Sequence, residues 1–220
     1  LKNWPYLRDL IDDRQDGVYH AKIFGKKKNT LQVIMLDTRY GRSDLKKNIT
    51  QDPTEKETNP KPYLPDDDKS KRILSDKQWA WLEKELKKPA GFRVIASSIQ
   101  LIANDHQFEK WGNFPQERQR FFELLKKLKI KNAIVISGDR HMASIAQKDL
   151  RGVGTLFDIT SSGINKAVGP AKVLKDASYM VDPYGAVNFG LIRIDWSSHI
   201  AHVEIKSLEN EKVQGLDIKF

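Results

Sequence analysis

This chain of 220 residues has no cysteine, 39% hydrophobic and 30% charged residues, and a formal net charge of +9. The missing cysteine excludes disulfides and thiolate metal sites, leaving His, Asp, Glu and Asn as metal ligands, and no apolar run approaches the ~20 residues that span a bilayer. The length suits one domain with a sizeable core, two small ones being the alternative. Positive charge favours anionic partners such as phosphorylated small molecules, nucleic acid or lipid head groups. Much of the excess, however, is lysine in short clusters (Lys26 to Lys28, Lys46-Lys47, Lys126-Lys127). Such clusters ordinarily keep a surface soluble, which disfavours nucleic acid as a stable partner. The chain opens on Leu1 rather than Met, so Leu1 is not expected to start the gene product, and the region that would hold a secretory signal lies before it.

Taken in order, residues 1–16 are polar, with a short helix expected around Leu7 to Ile11. Gly17 to Gly25 alternates apolar and polar side chains as a half-buried strand does, and Leu31 to Leu36 forms a second, antiparallel strand after a turn over Lys26 to Thr30. Its apolar end runs into Asp37-Thr38-Arg39-Tyr40-Gly41-Arg42-Ser43. Two arginines three apart beside an Asp suit a bidentate phosphate clamp, and equally a surface salt-bridge cluster. Residues 48–71 are rich in Pro, Asp, Lys, Thr and Asn and read as a long surface loop, a common form for lids and binding loops.

Ser75-Asp76-Lys77-Gln78 reads as a capping box opening a helix, with Trp79, Leu82 and Leu86 on its buried face, Trp81 beside them and Pro89 after its end. A strand over Phe92 to Ser98 comes next. Asn104 to Phe114 is a loop dense in aromatics and potential ligands, among them His106, for which a structural role is the competing reading. Pro115 fits the first turn of a second helix, with Phe121, Phe122, Leu124, Leu125 and Leu128 as core. Asn132 to Ile136 is then a buried strand delivering the turn Ser137-Gly138-Asp139-Arg140-His141. Asp139 and His141 at i, i+2 offer a carboxylate and an imidazole, a pair that can bind a divalent metal; an ordinary strand-end turn with Asp139 as a cap is the alternative. Further strands are expected over Gly154 to Thr160, Asn188 to Trp196 and Ile200 to Ile205, the last two forming a hairpin through Ser197-Ser198, with residues 166–187 irregular. The alternation of helix and strand from Ser75 onward predicts an α/β fold whose site loops lie at the carboxyl ends of strands.

The ordered set Asp37-Thr38-Arg39-Tyr40-Gly41-Arg42-Ser43, the Trp79 helix, Trp111-Gly112-Asn113-Phe114-Pro115 with Glu117-Arg118, Ser137 to His141, and Asn188-Phe189-Gly190 resembles the PhoD-like (alkaline phosphatase D-like) metallophosphoesterases. The resemblance covers roughly Gly17 to Trp196. It implies a four-layer α/β/β/α sandwich with mixed sheets, metal-dependent hydrolysis of phosphate monoesters or diesters, and a periplasmic or secreted location. Carried onto this chain, it makes Asp139 and His141 metal ligands, puts Arg39 and Arg42 near the phosphate as catalytic residues, and places His106 and Trp111 in the family's aromatic loop, with His106 counted as a third catalytic residue.

Two departures modify that picture. The wider superfamily ends its motifs in Gly-His-x-His, where this chain has Gly138-Asp139-x-His141. A carboxylate replacing an imidazole favours calcium or iron over zinc. The superfamily's Asp-rich and Asn-His-Asp motifs, moreover, find no counterpart here. The chain is therefore expected to be the C-terminal half of a phosphatase domain, partnered by the missing N-terminal half and acting on a phosphorylated small molecule or phosphodiester. Competing readings are a non-catalytic, basic phosphate-recognising or partner-binding module, and a phospholipase or diesterase on the same scaffold.

Overall fold

The alternation after Gly17 does make a hairpin: β1 (His20–Lys26) pairs antiparallel with β2 (Asn29–Met35), and Lys27 takes the left-handed turn conformation at φ 55°. The computed structural model describes residues 16–49, 62–106 and 108–220; the helix expected at Leu7 to Ile11 lies outside them. Within the 48–71 stretch, residues 50–61 are likewise outside. The described remainder of that stretch is not all loop, because β4 (Tyr63–Leu64) pairs with β3 (Lys46–Lys47).

Helix α1 (Asp76–Leu86) starts where the capping pattern places it, with Gln78 N donating to Ser75 Oγ at 3.1 Å. The reciprocal half of the box differs from expectation. Instead of turning back to the cap, the Gln78 side chain bonds to the main chain of Asp37. Helix α2 (Pro115–Leu128) begins on Pro115, whose missing N–H is unneeded in a first turn, and ends at Lys129 with φ 53°.

The remaining strands are β5 (Phe92–Ala96), β6 (Ala133–Ser137), β7 (Ala143–Leu150), β8 (Gly154–Ser161), β9 (Asn188–Asp195), β10 (Ile200–Ser207) and β11 (Lys212–Lys219). One sheet has six strands in the order β1-β2-β5-β6-β8-β7, and β11-β10-β9 form a second. In the larger sheet β2, β5, β6 and β8 run parallel, with β1 and β7 antiparallel at the edges. β7 and β11 are not among the strands expected from hydrophobic patterning. Leu216-Asp217-Ile218-Lys219 does carry the alternation of a strand; in β7 only the first four residues are continuously buried.

Apolar side chains cover both faces of the six-stranded sheet. On one, Trp79, Leu82 and Leu86 of α1 and Phe121, Phe122 and Leu125 of α2 pack with Ile34, Ile95 and Val135. On the other, Phe92, Val94, Ile134, Ile145 and Ile159 meet Ala201, Val203, Ile205 and Ile218 of the small sheet. The described residues therefore form helix, sheet and sheet layers, a partial sandwich of the expected α/β class. Coverage on the second face is incomplete. By register Phe24, Val33 and Met35 share the face of Phe92 and Val94, yet Phe24 is 47% and Met35 44% exposed.

Candidate functional site

Because β2, β5, β6 and β8 are parallel, their carboxyl ends form one rim, where α/β sheets collect ligand-binding loops. Asp37 shapes the first loop. Its Oδ1 accepts from Arg39 N and Tyr40 N, both at 2.9 Å, and its Oδ2 accepts from Val18 N at 2.9 Å. This carboxylate is thereby spent on backbone. The adjoining Thr38 and Ser98 hydroxyls hydrogen-bond to each other, tying the ends of β2 and β5 together.

Beyond Asp37 the two arginines converge on Glu109, a residue that the sequence patterns do not single out. Arg39 Nη1 donates to both Glu109 carboxylate oxygens at 2.7 and 2.6 Å, and Arg42 Nη1 bonds to Glu109 Oε1. Arg39 Nη2 also reaches Asp139 Oδ2 at 3.4 Å. Glu109 is held in place by the segment behind it. Trp111 is fully buried, its N donating to Gln100 O at 3.0 Å and its indole Nε1 to Ser97 Oγ at 3.0 Å. Trp111 is thus an anchor in the core. The one sequence signal for Glu109 is its place in the ligand-dense loop, just ahead of that tryptophan.

The turn after β6 has a strained backbone: Asp139 and His141 adopt φ of 65° and 53°, a region that side chains with a Cβ seldom enter and that clusters at functional sites. It is over-determined by its neighbours. Arg140 N donates to Ser162 Oγ at 3.1 Å, Ser162 N to Met142 O at 3.2 Å, and Val168 N to His141 O at 2.9 Å. The result leaves the Asp139 carboxylate 48% exposed, with His141 half-buried. Ser137 points the other way, donating to Asp158 Oδ1 at 2.7 Å. Asp158 is buried and also accepts from Leu101 N and Ile102 N. Burial pushes its carboxyl above the ordinary range, against the pull of those donors.

His106 is buried behind this rim, near Arg140 of the turn. It is 3% exposed, and among the described residues neither ring nitrogen has a hydrogen-bond partner. Burial, with Arg140 and Lys110 adding positive charge nearby, lowers its pKa to about 3, so the imidazole is neutral. Lys110, also buried, is pushed down to about 8, again chiefly by desolvation. Arg140 lies over the Phe108 ring at 4.6 Å. The structure thus joins Arg39 and Arg42 on Glu109, links Asp139 to them through Arg39, sets His141 on the same turn as Asp139, and buries His106 near Arg140 of that turn.

Asp139 and His141 offer chemically suitable donors for a hard or borderline cation, but only part of a coordination shell. Among the described residues no group of three or more His, Cys, Asp or Glu side chains could hold a metal.

Comparison with known proteins follows the same outline. A solved structure of PhoD superposes with a TM-score of 0.64 at 16% identity, covering 95% of this chain and 42% of that one; the likeness establishes a shared mixed α/β fold. This chain spans less than half of the solved protein. No curated protein matches it. The model of the PhoD-like phosphatase family matches residues 2–176, the stretch that carries both arginines, Glu109, Asp139 and His141, and the chain therefore belongs to the PhoD-like phosphatase family.

Proposed function

We propose that this chain supplies the arginine side and two metal ligands of a metal-dependent phosphoesterase site, completed by an N-terminal half of the same enzyme. The observation carrying this reading is the contact of Arg39 with both Glu109 and Asp139, which sets a guanidinium pair beside the strained turn of Asp139 and His141. Arg39 and Arg42 would bind phosphoryl oxygens and offset the charge that develops on them. A hard di- or trivalent ion held by Asp139 and His141, calcium or iron(III) in preference to zinc, would polarise a phosphoryl oxygen and activate water. Ser137 is committed to Asp158, which speaks against a phospho-serine route. The substrate would be a phosphate monoester or diester met outside the cytoplasm.

Incomplete coverage of the large sheet supports the second half of the proposal. Among the described residues, Phe24 and Met35 on the face of the small sheet stay exposed, as expected where further strands of the parent domain pack. No described helix is long and apolar enough to cross a membrane. Asp139→Ala and His141→Ala in the complete gene product should each lower bound metal and phosphoesterase turnover; unchanged metal content and activity would sink the assignment.

That no group of three or more His, Cys, Asp or Glu among the described residues could hold a metal favours one other reading, a phosphate-recognising module without a metal centre. Salt-sensitive phosphate binding by this chain, insensitive to chelator and lost in Arg39→Ala, would distinguish it.

A further inference from the structure

Glu109 has an unusual position for an acid in a phosphate-binding corner. Its side chain is 13% exposed, against 48% for Arg39 and 19% for Arg42, so it lies behind and between the two guanidiniums. Both Glu109 oxygens accept from Arg39, and one also accepts from Arg42. The loop carrying it is fixed by buried Trp111 and by Lys110 N donating to Asn113 Oδ1 at 2.8 Å. The backbone at Glu109 is therefore held by a core residue two positions on, and its side chain by the two arginines.

From this geometry we infer that Glu109 is a positioning and specificity-determining residue that matches the Arg39–Arg42 pair to monoanionic phosphodiesters in preference to dianionic phosphomonoesters. The inference rests on the phosphate-clamp reading above. Charge is the first argument. Two guanidiniums sharing the Glu109 carboxylate present a single net positive charge, reduced further where Asp139 Oδ2 approaches Arg39 Nη2 at 3.4 Å. A doubly charged phosphoryl group adds one more negative charge near Glu109 than a singly charged one does, an interaction that solvent weakens on the half-exposed Arg39 side but less at Glu109 itself. Donor count is the second. Arg39 has one Nη committed to Glu109 and the other turned towards Asp139, which leaves a narrow set of N–H groups. A diester offers two non-bridging oxygens, a monoester three, so the reduced donor set suits the diester.

The test compares Glu109→Gln and Glu109→Asp with the wild type in the complete gene product. The substrates are bis(p-nitrophenyl) phosphate and p-nitrophenyl phosphate, at a pH above the second ionisation of a monoester, about 6. Glu109→Gln should shift the ratio of kcat/KM towards the monoester by roughly tenfold, a fraction of the full charge interaction at a protein surface. It should also tighten competitive inhibition by inorganic phosphate. Glu109→Asp, which keeps the charge, should return the ratio towards wild type. An unchanged ratio and inhibition constant in Glu109→Gln, with both proteins melting alike, would overturn the proposal. If Arg39→Ala and Arg42→Ala lower turnover of both substrates while Glu109→Gln leaves their ratio alone, only the Glu109 role fails. If neither arginine variant affects either substrate, the clamp reading itself fails. Should the wild type hydrolyse neither compound, calorimetric binding of inorganic phosphate replaces turnover: tighter binding in Glu109→Gln supports the role, and equal or weaker binding refutes it.

Discussion

Gln78 grips the main chain of Asp37 from both sides, its carboxamide oxygen accepting from Asp37 N at 2.9 Å and its nitrogen donating to Asp37 O at 2.9 Å. Gln78 is 1% exposed. A helix on one layer thus fixes the last residue before the loop that carries Arg39 and Arg42. Gln78→Ala orphans two buried backbone groups, each costing about 1–3 kcal/mol, so the variant should lose about 2–4 kcal/mol in denaturant unfolding. Arg39 should loosen with it. A midpoint within error of the wild type would show that the loop is held by other means.

A second buried polar residue, Glu117, has the same role deeper in the helical layer. It is 4% exposed and accepts from Ile73 N at 2.9 Å, Leu74 N at 3.2 Å and Trp79 Nε1 at 3.0 Å. It joins α2 to the segment entering α1, beneath the Trp79 ring on which Arg120 stacks at 4.4 Å. Glu117→Ala removes the acceptor from three buried donors and should destabilise by about 3–5 kcal/mol. The difference in tryptophan emission between the folded wild type and the folded variant, with Trp79→Phe as the control that assigns it to Trp79, should report a more polar surrounding. A stable variant with unaltered emission would contradict the assigned role.

These two residues also show where the sequence is readable and where it is not. Ser75 and Pro115 advertise helix starts through local chemistry, and both helices begin there. The β1–β2 and β9–β10 hairpins follow from alternation, and the turn at Asp139 from the break in an apolar run. Gln78 looks like a local capping partner because the pattern is local; its true partner is 41 residues away in sequence. Glu109 is hidden for the same reason: its meaning comes from Arg39 and Arg42, 70 and 67 positions earlier. His106 looks like a site residue by composition, but only tertiary packing reveals that its ring is buried without hydrogen-bond partners among the described residues. Ladder register, which leaves Phe24 and Met35 uncovered, is likewise a non-local property.

The neutral, buried His106 should make the protein acid-sensitive. With its pKa lowered to about 3 in the fold against about 6.5 when unfolded, the unfolded chain binds the extra proton throughout that window. Stability therefore falls as pH drops from about 6.5 towards 3, by up to about 1.4 kcal/mol per pH unit while the difference is complete. His106→Phe cannot take up that proton. Its stability should decline less steeply over the same range, which urea titrations at pH 6 and pH 4.5 would measure. Parallel declines for the two proteins would mean that other groups dominate the acid response.

The open face beside the small sheet gives the most direct check on the half-domain reading. Phe24 at 47% exposure and Met35 at 44% share a face with Val33 and with the buried Phe92 and Val94. Isolated apolar side chains at a surface are ordinary, but a row of them continuing a packed sheet interface marks a site of further packing. If strands of an N-terminal half cover that row in the complete protein, Phe24→Lys with Met35→Lys should leave this 220-residue chain folded and less prone to self-associate. The same pair in the complete gene product should be destabilising, by about 1.5–3 kcal/mol for each large apolar side chain no longer buried. Light scattering on the chain alone and thermal unfolding of the complete protein give the two readings. Equal, small effects in both contexts would mean that nothing packs on this face, and the missing layer would have to be sought elsewhere on the sandwich.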